Sequence, residues 1–229
     1  MTLPLLQAPG NVLGRDVSRF VPGTDGLPGA VGMSAHHARI WELAAPHLRV
    51  RDNDAHTVYA YGLARALLTL HPEADAEVVL PGILLHDTGW STVPEDQILE
   101  AITPDGGRPD LVLQHEREGA RIAAEVLGAV GHDPDRTAHV VRIVDGHDSR
   151  RHALDLEDAL VKDADKLWRV TPHGLDTVMR WFGLDRAAAH RLVLSRVHDH
   201  LLTDAGRTLA HGLSAVALVD TLPQRVALG

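Results

Sequence analysis

The stretch from Val78 to Trp90, VVLPGILLHDTGW, poses the chemical question for the whole chain. An apolar run ends in His86-Asp87, and Gly89 then breaks the pattern. An imidazole and a carboxylate at the end of a buried segment cost several kcal/mol, as an order of magnitude, if they have no partner. A divalent metal is such a partner, because neutral His and ionised Asp both ligate zinc, iron or manganese. Further ligand types follow at wide, helix-sized intervals. His56 lies 30 residues before His86, His115 lies 28 after Asp87, His147 lies 32 after His115, and Asp165 lies 18 after His147. Cysteine is absent, so a metal must sit on imidazole and carboxylate. The 16 histidines are more than enough for that.

Helices must position these groups. Aromatic residues make up only 3% of the chain, Ala and Leu are plentiful, and no alternating βαβ pattern occurs, which favours packed helices. Ser34 can cap a helix over 35–48, on which His36, His37 and His47 read as surface residues. Asn53 or Asp54 can cap a helix over 55–71 with Val58, Tyr61, Ala64, Leu67 and Leu68 on its stripe. His56 shares a second apolar face with Ala60 and Leu63. Glu73–His86 is the next helix, which Pro81 should kink or split. Short and long helices follow at 94–102 and 109–129, separated by a loop at 103–110. Gly119 lies at i+4 from His115 and would leave space beside that imidazole. A helix over 134–148 puts His147 near its C-terminal end. On a helix at 156–169, Asp165 shares a face with Val161 and Trp168, while Asp163 lies about 160° away. Asp165 is therefore the inward carboxylate. Helices at 171–182, 185–204 and 206–219 form a C-terminal extension.

The ordered set H…HD…H…H…D, with DNDAHTVYAYGLARALL, ILLHDTGW and LVKDADKLWRV around its members, resembles the HD-domain superfamily of all-helical metal-dependent enzymes. The resemblance covers roughly residues 50–170. It implies an all-α HD-domain bundle with additional C-terminal helices: an irregular lead-in over 1–33, then one helical domain over 34–229. It also implies that His56, His86, Asp87 and Asp165 hold one ion, with His115 and His147 placed for a second and Asp87 bridging. His115 reads either as that ligand or as a surface histidine beside Glu116 and Glu118. Fe, Mn, Ni, Co, Zn and Mg are all compatible, as one ion or two.

Lys166, Arg150 and Arg151 are the nearest cations in sequence that could neutralise a phosphate. Lys162 and Lys166 are the only lysines, and both flank the Asp163/Asp165 motif. Asp148, Asp54 and Glu118 are candidate proton shuttles, whereas His198 and His200, two residues apart, cannot share a helix face. The lysine and GYP motif of the cyclic-dinucleotide branch are missing. The first expectation is a phosphohydrolase of a small phosphorylated metabolite or nucleotide, working through a metal-activated water. A di-iron oxygenase of a small organic substrate is the second, and a non-catalytic binding module the third. Specificity is expected in the 88–110 loop and the C-terminal helices. The net charge of −9 argues against nucleic-acid polymers and membrane surfaces. No run approaches a membrane span and no signal peptide is evident, so a cytoplasmic protein is expected. A small anionic partner is expected, and a homodimer is compatible with these features.

Overall fold

A computed structural model describes residues 14, 16–23, 32–103 and 107–226. The chain divides into two units, Met1–Met33 and Ser34–Gly229. In the first, Ser18–Phe20 form a 3-10 turn, and Ser18 N–H donates to Asp16 Oδ1 at 2.9 Å. Most of the lead-in, and residues 104–106 of the 103–110 loop, lie outside the described residues.

The second unit is all-helical, with no strand among the described residues. Its helices are α1 (Ala35–Ala44), α2 (Asn53–Leu70), α3 (Ala76–Leu85), α4 (Glu95–Ala101), α5 (Pro109–Ala129), α6 (Pro134–Val144), α7 (Leu156–Trp168), α8 (Pro172–Phe182), α9 (Arg186–Val197), α10 (Asp204–Leu218) and α11 (Pro223–Val226). Local chemistry sets most starts. Ser34, Asp75, Asp133, Asp155, Thr171, Asp185 and Thr203 each accept a backbone N–H in the first turn of the helix they precede. Pro109, Pro134 and Pro172 occupy first positions, where a missing N–H costs nothing.

Helix α3 is the central rod. Every residue from Val78 to Leu85 is buried, as expected for a helix that is apolar all round, and α1, α2, α5, α6 and α7 pack about it. Pro81 neither splits nor ends it. The proline frees the carbonyl of Glu77 four residues earlier, and His132 Nε2 takes that acceptor at 3.0 Å.

Several sequence expectations are corrected. Helix α6 stops at Val144, because Gly146 adopts φ 111° and the chain enters a turn over 145–149 that carries His147. Helix α2 begins at Asn53 after two left-handed residues, Arg51 (φ 52°) and Asp52 (φ 59°), with no side-chain cap. Val58 is exposed rather than part of the core stripe. His37 is buried, not on the surface, and its Nδ1 lies 2.9 Å from Tyr61 Oη. Asp163 is fully buried as well. It faces the C-terminal helices, accepting from Leu202 N–H at 2.7 Å, Thr203 N–H at 2.9 Å and the Thr203 hydroxyl at 2.7 Å. Asp163 and Asp165 are thus both interior, on opposite sides of α7.

Candidate metal centre

His56 lies in the first turn of α2, His86 and Asp87 leave the C-terminal end of α3, and Asp165 lies on α7. These elements pack together, and four ligand atoms converge. His56 Nε2 is 3.0 Å from His86 Nε2, 3.4 Å from Asp87 Oδ2 and 3.3 Å from Asp165 Oδ1. His86 Nε2 is 3.5 Å from Asp87 Oδ2 and 3.8 Å from Asp165 Oδ1. His56, His86 and Asp165 each offer an atom within 4.8 Å of the other two, so these three can share one ion, and Asp87 Oδ2 stands 3.4–3.5 Å from both imidazoles.

A second cluster shares Asp87 through its other oxygen. His147 Nε2 is 3.5 Å from Asp87 Oδ1 and 3.4 Å from His115 Nε2, on α5. Asp148 Oδ2 lies 3.5 Å from His115 Nε2 and 3.7 Å from His147 Nε2. The Asp87 carboxylate therefore spans both groups. Asp148, read in the sequence only as a proton shuttle, stands at ligand distance in the second. The other two shuttle candidates lie elsewhere: Asp54 is exposed, and Glu118 pairs with Arg121 at 2.9 Å.

Backbone acceptors aim the rings. His86 Nδ1–H donates to Ile83 O at 2.8 Å and His147 Nδ1–H to Val144 O at 2.9 Å, which turns both Nε2 lone pairs inward. His56 Nδ1 and His115 Nδ1 are buried without a hydrogen-bond partner. Trp90 stacks on His115 at 3.8 Å between centroids, and its Nε1–H donates to Asp87 Oδ1 at 3.1 Å. Glu116, expected on the surface, is buried. It accepts from Asp148 N–H at 2.8 Å and from Ser149 N–H and hydroxyl at 2.7 Å each. From the other side, Lys162 Nζ donates to the carbonyls of Gly146, His147 and Arg150 at 2.7–2.9 Å. The turn bearing His147 and Asp148 is thus clamped by a buried anion and a buried cation.

Gly89 and Gly119 have a different role from the one expected of Gly119. A Cβ on Gly89 would fall on the His115 carbonyl oxygen. One on Gly119 would lie 3.2 Å from the His86 carbonyl oxygen. The two glycines let the 3-10 turn Thr88–Thr92 lie against the backbone of α5.

Burial alone would raise the carboxyls of Asp87 and Asp165, but neighbouring charge outweighs it. His86, His147, His56 and Arg51 hold Asp87 well below the usual carboxylate range, and Arg169, His56 and Lys166 do the same for Asp165. Burial, reinforced by His147, depresses His115 to about 4. His147 is disfavoured as a cation by burial, yet Asp148 and Asp87 lift it to about 9. The carboxylates around His147 thus favour its protonated form, while burial favours a neutral His115.

His56 and Asp165 of the first cluster, together with Asp148, open onto a pocket of about 260 Å³. Its apolar wall includes Trp168, Trp181, Phe182 and Val193, and its cations are Arg51, Lys166, Arg169 and Arg196. The Arg51 guanidinium lies 5.3 Å from the Trp90 ring and 5.2 Å from the Trp181 ring, with Nη2 3.9 Å from Asp87 Oδ2. Arg150 and Arg151 do not line the pocket. Arg150 is held by Asp158 Oδ2 at 2.9 Å and the Asp145 carbonyl at 2.8 Å, and Arg151 is exposed. Of the 88–110 segment, only Ile102 among the described residues lines the pocket. The C-terminal helices supply most of the apolar wall. Exposed His200 lies at its edge, and His198 packs its ring against His211 instead. Arg51, Trp90 and Trp181 gave no sequence signal for the site, because only the fold brings them to it.

A model of the HD domain matches residues 53–169, about half of the chain. No curated protein matches the sequence. Among solved structures, the crystal structure of a predicted HD superfamily hydrolase from an uncultured Thermotogales bacterium is similar, at 19% identity and a TM-score of 0.55. The match covers 85% of this chain and 94% of that one. At that identity the likeness is one of fold.

Proposed function

The chain belongs to the HD-domain family, and from that premise we propose that it is a metal-dependent phosphohydrolase acting on a small, anionic, partly apolar substrate. The observation that carries this reading is the split of the Asp87 carboxylate between two His-rich clusters beside a cation-lined pocket. His56, His86, Asp87 and Asp165 would hold one divalent ion, and His115, His147, Asp148 and Asp87 a second. Bound ions supply an activated water and positive charge for phosphoryl oxygens. The chain's own residues do the rest. Arg51 and Lys166 bind and orient the anion at the pocket floor. Trp181, Phe182 and Val193 hold the apolar part and exclude water. Arg169, 3.4 Å from both Asp165 oxygens, keeps that carboxylate ionised and aimed. The pocket volume suits a metabolite or mononucleotide rather than a polymer. No described helix is long and apolar enough to cross a membrane.

The test is phosphate release from a panel of phosphomonoesters and nucleotides. It uses metal-stripped protein resupplied with Mn²⁺, Fe²⁺, Co²⁺, Ni²⁺, Zn²⁺ or Mg²⁺. The expected result is metal-dependent release that Asp87→Asn abolishes. The two-cluster geometry also accommodates a di-iron oxygenase. Oxygen consumption by the iron-loaded protein, with no phosphate released under any metal, would replace the hydrolase reading with that one. Neither activity, with metal bound, would leave a binding module.

A further inference from the structure

Three histidines and one glutamate meet at a second place, where the starts of α1 and α3 come together with the α5–α6 connection. His36 Nε2 lies 2.9 Å from His132 Nδ1, and His37 Nε2 lies 3.4 Å from Glu77 Oε2. Ligand atoms of His36, Glu77 and His132 all lie within 4.8 Å of one another. His37 and His132 are buried, whereas the Glu77 side chain is 41% exposed and open to solvent ions.

The ring orientations are fixed from outside the cluster. Pro81 leaves the Glu77 carbonyl without its helical donor, and His132 Nε2 occupies that oxygen at 3.0 Å. A carbonyl only accepts, so His132 carries its proton on Nε2 and presents the Nδ1 lone pair to His36 and Glu77. His37 Nδ1 is engaged by Tyr61 Oη at 2.9 Å, which leaves its Nε2 facing the Glu77 carboxylate. Anchoring one ring nitrogen on a carbonyl or hydroxyl while the other faces inward is how ligating histidines are held. The 2.9 Å between His36 Nε2 and His132 Nδ1 is that of atoms bound about 2.1 Å from a common ion. Burial also pushes His132 toward the neutral form that a ligand needs.

We propose that His36 Nε2, His132 Nδ1 and the Glu77 carboxylate form a structural site for zinc or a similar divalent transition ion, separate from the HD centre, with His37 Nε2 orienting the carboxylate. Two imidazoles and a carboxylate suit that class of cation, with the remaining positions left to water. Glu77 and His86 lie nine residues apart on one helical run, about 14 Å along its axis. The ion would tie α1 and the α5–α6 connection to the start of the helix whose other end presents His86 and Asp87. This proposal does not depend on the phosphohydrolase reading.

The experiment is a zinc titration of the full-length, chelator-stripped protein, with bound zinc per chain counted by elemental analysis and melting followed in parallel. Relative to wild type, His36→Ala and His132→Ala should each bind one zinc fewer per chain, and Asp165→Ala should retain this equivalent. Loss of an orienting partner costs a site about 10–100-fold in affinity, so His37→Phe, which removes the contact to the Glu77 carboxylate, should weaken this equivalent about 10-fold. Zinc should raise the melting temperature of Asp165→Ala by more than that of Asp165→Ala/His36→Ala. His132 also holds the Glu77 carbonyl, so if His132→Ala fails to fold, half-exposed His36→Ala decides. A folded His36→Ala variant with wild-type zinc stoichiometry and affinity would overturn the proposal and leave a hydrogen-bonded cluster without an ion.

Discussion

Gly89→Ala puts the positioning of Asp87 to the test. A Cβ at residue 89 would lie 2.5 Å from Gly119 N and 2.7 Å from the His115 carbonyl carbon, and closer still to the His115 oxygen. Carbon contacts settle at about 3.5–4.0 Å, so the 3-10 turn and α5 must part by about 1 Å or more. The obstacle is helix backbone on the other side, not a side chain that can rotate away. Overpacking in a core costs about 1–3 kcal/mol, and this case belongs at the upper end, about 3 kcal/mol. For a chain of this size that is a fall of about 6–12 °C in melting temperature. The metal centre should suffer more. Asp87 and Trp90 flank the displaced residue, and metal–ligand distances tolerate only about 0.2 Å. The assay is calorimetric melting together with metal content per chain. Gly62→Ala, in the middle of α2 with open space around it, is the control and should gain about 0.5–1 kcal/mol. If Gly89→Ala melts within 2 °C of wild type (under about 1 kcal/mol) and binds metal normally, the turn–helix contact does not set the ligand geometry.

Other perturbations reach the same centre by different routes. Asp165→Ala should lose the ion of the first cluster and all turnover, read by elemental analysis and phosphate release; retained activity would remove Asp165 from the ligand set. Lys162→Met leaves three buried carbonyls without their donor, at about 3 kcal/mol or more. It should lower both the melting temperature and affinity at the second cluster, since the turn bearing His147 loses its clamp. Without an ion, His147 has its folded pKa raised from 6.5 to about 9. Its contribution to stability is full below pH 6.5 and lost as pH rises through about 9, so metal-free protein should melt lower at pH 9 than at pH 6.5. For the same reason, affinity for the second ion should rise about tenfold per pH unit up to about 9; a flat profile would show that no proton is displaced. Arg51→Met should raise KM for an anionic substrate much more than it lowers kcat, in steady-state assays of the metal-loaded enzyme.

Much of the helical framework was legible because it is written locally. Ser34, Pro109, Pro134 and Asp155 carry start signals that hold regardless of what packs nearby, and α5 begins and ends where its sequence says. His56, His86, Asp87, His115, His147 and Asp165 were legible as an ordered set, whereas Asp148 was not, and their convergence is a property of the fold. What escaped depended on distant partners. His37 looks like an exposed residue until Tyr61 is brought over it, and Glu116 looks like a solvated helix charge until the 147–149 turn folds onto it. Asp163 was misplaced by a helical wheel that assumes one buried face, whereas α7 is covered on both sides. Arg51 reaches the pocket through a left-handed backbone that its sequence gives no reason to expect.

Asp163 also bears on how such a chain can diversify. It grips Leu202 and Thr203, while at the other end Thr171 caps α8 and its hydroxyl donates to the Trp168 carbonyl at 2.7 Å. Both ends of the excursion over residues 172–201 are therefore moored to α7, the helix that carries Asp165. That excursion lies beyond the stretch shared with the family, and it builds most of the apolar pocket wall. Closing a longer or shorter loop between fixed ends changes the free energy only by about 0.6 kcal/mol per doubling of its length. The length of this segment can therefore change at little cost in free energy while its two ends stay fixed on the helix that carries Asp165.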